Sequence, residues 1–198
     1  MMLLLGLDPG LRRTGWGVIK VAGNRLTHIA NGTICSTQDK DMAQRLMEIH
    51  TGLRCVLEQY QPDEAAVEET FANTNPTSTL ALGMARAIAL LAPAQSHIKV
   101  VQYLPNTVKK SVVGAGHADK AQVQLMVERL LSYGDFSSAD AADALAVAIC
   151  HAHQRTTHTS WGQALVQQHK KTIKTQKSHA ALSVGGYPVY QRAQKLNG

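Results

Sequence analysis

The sequence predicts an α/β fold, a mixed five-stranded sheet flanked by helices, and three observations carry that expectation. An apolar run, LLLGLDPG from Leu3 to Gly10, ends in a carboxylate and a forced turn. Two more strand-like runs follow it directly, and beyond them short apolar runs alternate with segments of helical periodicity. Direct succession through tight turns gives antiparallel neighbours, whereas alternation of strand and helix gives parallel ones.

In the first run Leu3, Leu4, Leu5 and Leu7 show no clean alternation, as expected of a central strand covered on both faces. Pro9-Gly10 stops it, so Asp8 falls at a strand end, where open α/β sheets place their chemistry. Asp-Pro-Gly is also an ordinary turn, so Asp8 acquires meaning only with other carboxylates. TGWGVIKV (14–21) and LTHIANGTIC (26–35) read as two further strands joined by a short turn at Gly23 and Asn24. Over Asp41 to Tyr60, Leu46, Ile49, Leu53, Val56, Leu57 and Tyr60 recur at helical spacing, and Pro62 marks the end. EAAVE (64–68) is a short inner strand that, like the first, ends in carboxylate, at Glu68 and Glu69.

A polar loop, Phe71 to Thr79, leads into LALGMARAIALLA, where Arg86 is the only charged residue between Leu80 and Ala92. A helix apolar on all sides needs cover on all sides. The sheet can cover one face, and either a second copy of the chain or the interior of the monomer the other; a homodimer is expected. As read from the sequence this segment is too short to span a bilayer. HIKVVQYL (97–104) gives the fifth strand, and Pro105 opens a helix through Val113, which Gly114-Ala115-Gly116 breaks. Asp119 begins another helix, with Val123, Val127, Leu130 and Leu131 on one side, and SSADAADALAVAIC (137–150) is the last.

The 198 residues suffice for one domain with a hydrophobic core. The opening MMLLLGLD is too short for a signal-peptide core and no apolar run reaches the roughly 18 residues of a membrane span, so a cytoplasmic protein is expected. Cys35, Cys55 and Cys150 form no CxxC pair, which supports neither a disulfide framework nor a zinc site. The formal charge of +6 divides unevenly: residues 151–198 carry seven Lys or Arg, five of the nine His and no acid. Residues 1–154 are therefore expected to form the folded domain, and 155–198 a basic, disordered tail. Near-neutral balance in the body lets acids gather in one place while a basic face forms in another, which suits a protein that grips a polyanion and holds divalent metal.

Asp140 and Asp143 lie three apart on the last helix and so project from one face, among alanines that permit close packing. Ser137 followed by Asp140 also fits an N-cap pattern, which accounts for Asp140 but not for Asp143. Carboxylates from two strand ends and one helix repel one another unless cations sit among them. Magnesium is the natural choice, since it prefers hard oxygen ligands, and a pair of ions can stabilise both attacking and leaving oxygens at a phosphodiester. His151 and His153 point to different helix faces and are not expected to be ligands.

Four segments, GLDPGLRRTGWGV, QPDEAAVEETF, VKKSVVGAGHADKAQVQ and ADAADALAVAI, in this order, resemble the RuvC family of Holliday-junction resolvases over nearly all of residues 3–150. The resemblance implies a ribonuclease-H-like fold, a homodimer, Mg2+ dependence, and paired symmetric nicks in four-way junction DNA that leave ligatable 5′-phosphate and 3′-hydroxyl ends. It also implies a RuvA–RuvB branch-migration motor as partner. By motif it makes Asp8, Glu68, Asp140 and Asp143 the catalytic, metal-holding acids, and chooses Glu68 over Glu69. Phe71 matches an aromatic that wedges or stacks at the junction centre. Lys109 and Lys120 match lysines near the scissile phosphate, while Arg12, Arg13, Lys110 and Arg86 are backbone contacts by charge only. The loop after Phe71 lacks an expected lysine, Ala81 stands where lysine is common, and Ala87 where glycine is usual. Two alternatives stay in view: a noncatalytic junction-binding protein on the same fold, and an actin-like ATPase, which needs a second lobe that 198 residues do not provide.

Overall fold

The computed structural model describes residues 1–69 and 75–155. The expected polar loop at 70–74, with Phe71, and the expected tail from 156 onward lie outside the described residues.

The first three strands, β1 (Met2–Asp8), β2 (Arg13–Ala22) and β3 (Arg25–Cys35), form an antiparallel meander. Gly23 closes the β2–β3 turn with φ +60°, a conformation open to glycine without strain. Helix α1 (Met42–Tyr60) begins where Asp41 Oδ1 accepts from the Gln44 N–H, and it ends on Gln61 in the left-handed region. Next, β4 (Glu64–Glu68) and, after α2 (Pro76–Gln95), β5 (Lys99–Tyr103) add in parallel on the other side of β1. The sheet order is β3-β2-β1-β4-β5, with β1 at the centre. Helices α3 (Pro105–Val113) and α4 (Lys120–Leu131) follow, the latter closed by a reciprocal Asp119–Gln122 capping box. Residues 139–155 form the last described helix, α5.

Two layers of helix cover the sheet. On one face Leu5, Leu7, Val18, Ala65 and Val67 pack with the buried sides of α1 and α2. On the other, Leu4, Ile19 and Ala66 pack with α3, α4 and the nearly continuous run Leu145–Cys150 of α5. Burial of β1 on both faces explains its lack of alternation.

Three boundaries differ from the sequence-based expectations. Helix α2 starts at Pro76, where Asn75 Oδ1 accepts from the Thr77 and Ser78 N–H groups, so half of the expected loop is helix. At 20 residues with a mean hydropathy of 1.3 over its most apolar window, α2 reaches the length of a membrane span, and the length objection does not hold. Its Ala85, Ala89 and Ala92 nonetheless belong to the sheet's core, and it packs against α1. Strand β5 begins at Lys99, because His97 sits in a left-handed turn, φ +59°, closing α2. The α5 cap is Ser138, whose hydroxyl accepts from the Ala141 N–H at 3.0 Å, and not Ser137, whose side chain is engaged elsewhere.

Candidate active site

Asp8 is the last residue of β1, and Glu68 the last of its parallel neighbour β4. Side chains alternate along a strand, so Asp8 shares its face with Leu4 and Gly6, and Glu68 shares its face with Ala66. Leu4 and Ala66 pack against the α5 layer, so both acids face α5. Glu69 lies past the strand end and turns towards α2, its carboxylate 4.0 Å from the Arg86 guanidinium.

Helix α5 delivers the other pair. It can do so because the strands beneath it carry glycine: a Cβ on Gly6 would lie 2.0 Å from the Ala144 carbonyl oxygen, and one on Gly15 would lie 2.0 Å from that of Asp140. Gly6 pairs with Gly17 and Asp8 with Gly15, so the three glycines form a trough across β1 and β2. The α5 backbone lies in that trough, with Asp140 in its first turn and Asp143 one turn on. The sequence reading missed this role, although the G-x-G spacing of Gly15 and Gly17 puts both on one strand face and was its visible signal.

Burial raises the Asp8 carboxyl above the ordinary carboxylate range, and the negative charges of Asp143 and Asp140 raise it further. Glu68 is raised by burial and then by the negative charges of Asp8 and Asp143. Asp8 is thereby pushed up to about 6 and Glu68 to about 8. Cationic groups stand among the acids. Lys120 Nζ is 2.6 Å from Asp143 Oδ2, an interaction that raises the Lys120 pKa, and Arg13 Nε is 3.2 Å from Asp140 Oδ2. Lys109 shares with Glu68, Asp143 and Lys120 the lining of a cavity of about 240 Å³, to which Val108, Val123 and Ala146 add apolar surface.

The structure therefore brings Asp8, Glu68, Asp140, Asp143, Lys109, Lys120 and Arg13 to one end of the sheet. Arg86 is committed to Gln102 as well as Glu69, on the opposite face of the sheet. Arg12 is exposed in the β1–β2 turn, and Lys110 is exposed near the end of α3. His151 is no ligand: fully buried, it accepts from the Tyr103 hydroxyl at Nδ1 and donates from Nε2 to Glu64.

Four carboxylates with hard oxygen donors fit a divalent cation, and the raised protonation of Asp8 and Glu68 is what such a cluster shows while its charge is uncompensated. As the side chains stand, no three potential ligands among the described residues are gathered closely enough to hold an ion, and Asp143 and Asp140 are ion-paired to Lys120 and Arg13.

Folded-state pKa values raised above the unfolded ones mean the folded chain holds more protons between them, so stability is lost as pH rises. Without metal, the melting temperature should fall between about pH 5 and about pH 8, and added divalent cation should raise it far more at the upper end. Thermal scans with and without cation check this, and a cation effect independent of pH would contradict it.

A family model for crossover junction endodeoxyribonuclease RuvC matches residues 4–151. The crossover junction endodeoxyribonuclease RuvC of Azorhizobium caulinodans is 57% identical over 155 residues, covering 78% of this chain and 92% of its own. That of Sinorhizobium medicae is 54% identical over 160 residues, covering 81% and 96%. Among solved structures, Thermus thermophilus RuvC in complex with a Holliday junction substrate superposes with a TM-score of 0.75 at 30% identity, over 80% of this chain and 98% of that one. These likenesses bear out the ribonuclease-H-like fold and favour neither a noncatalytic binder nor an actin-like ATPase.

Proposed function

This chain belongs to the RuvC family of crossover junction endodeoxyribonucleases, and from that premise we propose that Asp8, Glu68, Asp140 and Asp143 form the site at which it resolves Holliday junctions. The enzyme is a hydrolase that cuts phosphodiester bonds in four-way junction DNA, with paired nicks at symmetric positions. The observation that carries the assignment of the site is the meeting of acids from two parallel strand ends and one helix at a single end of the sheet.

Membership of the family implies dependence on a divalent metal; we take it to be Mg2+, a pair of ions held by the four carboxylates. When bound, the metal would lower the pKa of the attacking water and offset charge developing at the phosphate. The chain's own residues prepare for that. With a metal bound, Asp8 and Glu68 would be ionised and would serve as ligands together with Asp140 and Asp143, which the glycine trough positions. Lys120, Arg13 and Lys109 are cations at the rim of the site, suited to the phosphates of an incoming strand once the carboxylates are otherwise compensated. Phe71, Lys110, Arg12 and Arg86 remain proposed DNA contacts. The charge of residues 155–198 suits added nonspecific affinity for DNA.

The test is denaturing-gel mapping of a mobile synthetic four-way junction, each strand labelled in turn. Paired nicks at symmetric positions, dependent on Mg2+ and leaving ends that a ligase reseals, are expected. Binding without nicks over varied core sequences would sink the reading.

We also propose a homodimer through α2. Leu80 and Leu91 are 62% and 47% exposed on this helix, and Met47 of the adjoining α1 is 62% exposed. Apolar groups so exposed on packed neighbours suit a second copy. Two-fold symmetry would place two sites on one junction, as paired nicking needs. Equilibrium sedimentation should give twice the chain mass, and the single-chain mass would contradict the dimer. The cytoplasm as the place of action and a RuvA–RuvB motor as partner rest on family resemblance.

A further inference from the structure

Edge strand β3 reaches across to the start of α5, although more than 100 residues separate them in sequence. Asn31 Oδ1 accepts from both the N–H and the hydroxyl of Ser137, at 2.9 and 2.8 Å. Two residues along β3, the Thr33 hydroxyl is 2.6 Å from that of Ser138. Ser138 is itself the cap of α5, accepting from the Ala141 N–H at 3.0 Å, while its carbonyl accepts from the Ala142 N–H at 3.1 Å. The Asn31 amide is oriented in turn, since its NH2 donates to His28 Nε2 at 2.9 Å and that imidazole is stacked at 3.7 Å on Tyr133.

We infer that Asn31 and Thr33 are positioning residues for catalysis, a brace on β3 that holds the first turn of α5 and thereby aims Asp140 and Asp143. The inference rests on the proposed assignment of those two acids. Its physical basis is that a helix end is the part most prone to fray. Asp140 sits in that end, and the Gly15 trough constrains it only from below. The brace supplies lateral support, with one acceptor on β3, Asn31 Oδ1, taking two hydrogen bonds from Ser137, and a hydroxyl pair joined to the cap. Its cost is small in stability terms, because the hydrogen bonds lie at a part-exposed edge. Its effect on rate is larger, because misplaced catalytic groups lose activity steeply.

The test uses the full-length chain with Asn31→Ala, Thr33→Val, the double variant and Thr33→Ser. Three quantities are read: single-turnover nicking of a bound junction across Mg2+ concentrations, metal-free junction affinity, and amide hydrogen exchange over residues 137–145. The double variant should nick about tenfold more slowly and need about threefold more Mg2+ for half-maximal rate. Its junction affinity should stay within about twofold of the unaltered chain, and its Ala141 and Ala142 amides should exchange about tenfold faster. Thr33→Ser, which keeps the hydroxyl, should behave as the unaltered chain. Unchanged exchange would show that no brace exists, and faster exchange at an unchanged rate would show that it does not position the acids; either overturns the inference. Exchange in β1 reports whether the fold survives, and if the double variant loses it, Thr33→Val alone is the deciding variant. Asp140→Asn is the control for the premise, since nicking that survives it would overturn the assignment of the acid instead of the brace.

Discussion

Asp8→Asn should leave junction binding unchanged and lower nicking by about a thousandfold or more. Asp8 is the residue on which the other three acids converge: it is raised by burial and by the charges of Asp143 and Asp140, and its own charge raises Glu68. The amide has the same shape but no charge, so the cluster loses one quarter of the negative charge that would hold a cation, at the centre of the set. Binding should survive because DNA affinity comes from Lys and Arg contacts with phosphate, which the change leaves in place. Removing a buried and repelled carboxylate should also stabilise the metal-free protein slightly. The checks are junction affinity by gel shift without metal, single-turnover nicking with Mg2+, and melting temperature. A variant that nicks at an undiminished rate would remove Asp8 from the site.

Gly15→Ala should destabilise the fold by about 2–3 kcal/mol and slow nicking by about a hundredfold. The added Cβ would lie 2.0 Å from the Asp140 carbonyl oxygen and 2.5 Å from its carbonyl carbon, both backbone atoms of α5. No rotamer change relieves such a contact, so the helix must lift from the sheet. It is tethered a turn further on, where Ala144 and Ala148 lie against Gly6, and lifting therefore tilts the first turn and carries Asp140 away from Asp8. Chemical denaturation reports the first effect and single-turnover kinetics the second. A stable variant with an undiminished rate would show that the close approach of α5 does not position the acids.

The elements themselves were legible because their signals are local. Asp41 and Asp119 cap their helices, Pro62 and Gly114 follow helix ends, and helical spacing placed the buried residues Leu53, Val56 and Leu57 of α1. The four acids were legible as a set, through resemblance, before any strand had a neighbour. What failed were judgements that need to know what lies across a gap. The pattern of Ser137 with Asp140 three residues on points to Ser137 as the N-cap, and β3 overrules it by taking the Ser137 hydroxyl for Asn31, which leaves Ser138 to cap α5. The polar composition of residues 71–79 hid the start of α2, because a capping Asn followed by Pro at the first helical position is polar by nature.

The sequence by itself determined which segments are strands and helices, and that carboxylates end two of the inner strands and begin the last helix. Only the tertiary structure decided that Glu69 turns away towards α2, how near α5 comes to β1 and β2, and which cations stand beside the acids. The reason is that periodicity reports whether a face is buried but not what buries it. On a strand covered on both sides periodicity leaves two equivalent directions, and the placing of α5 on the glycines of β1 and β2 supplies the physical difference between them.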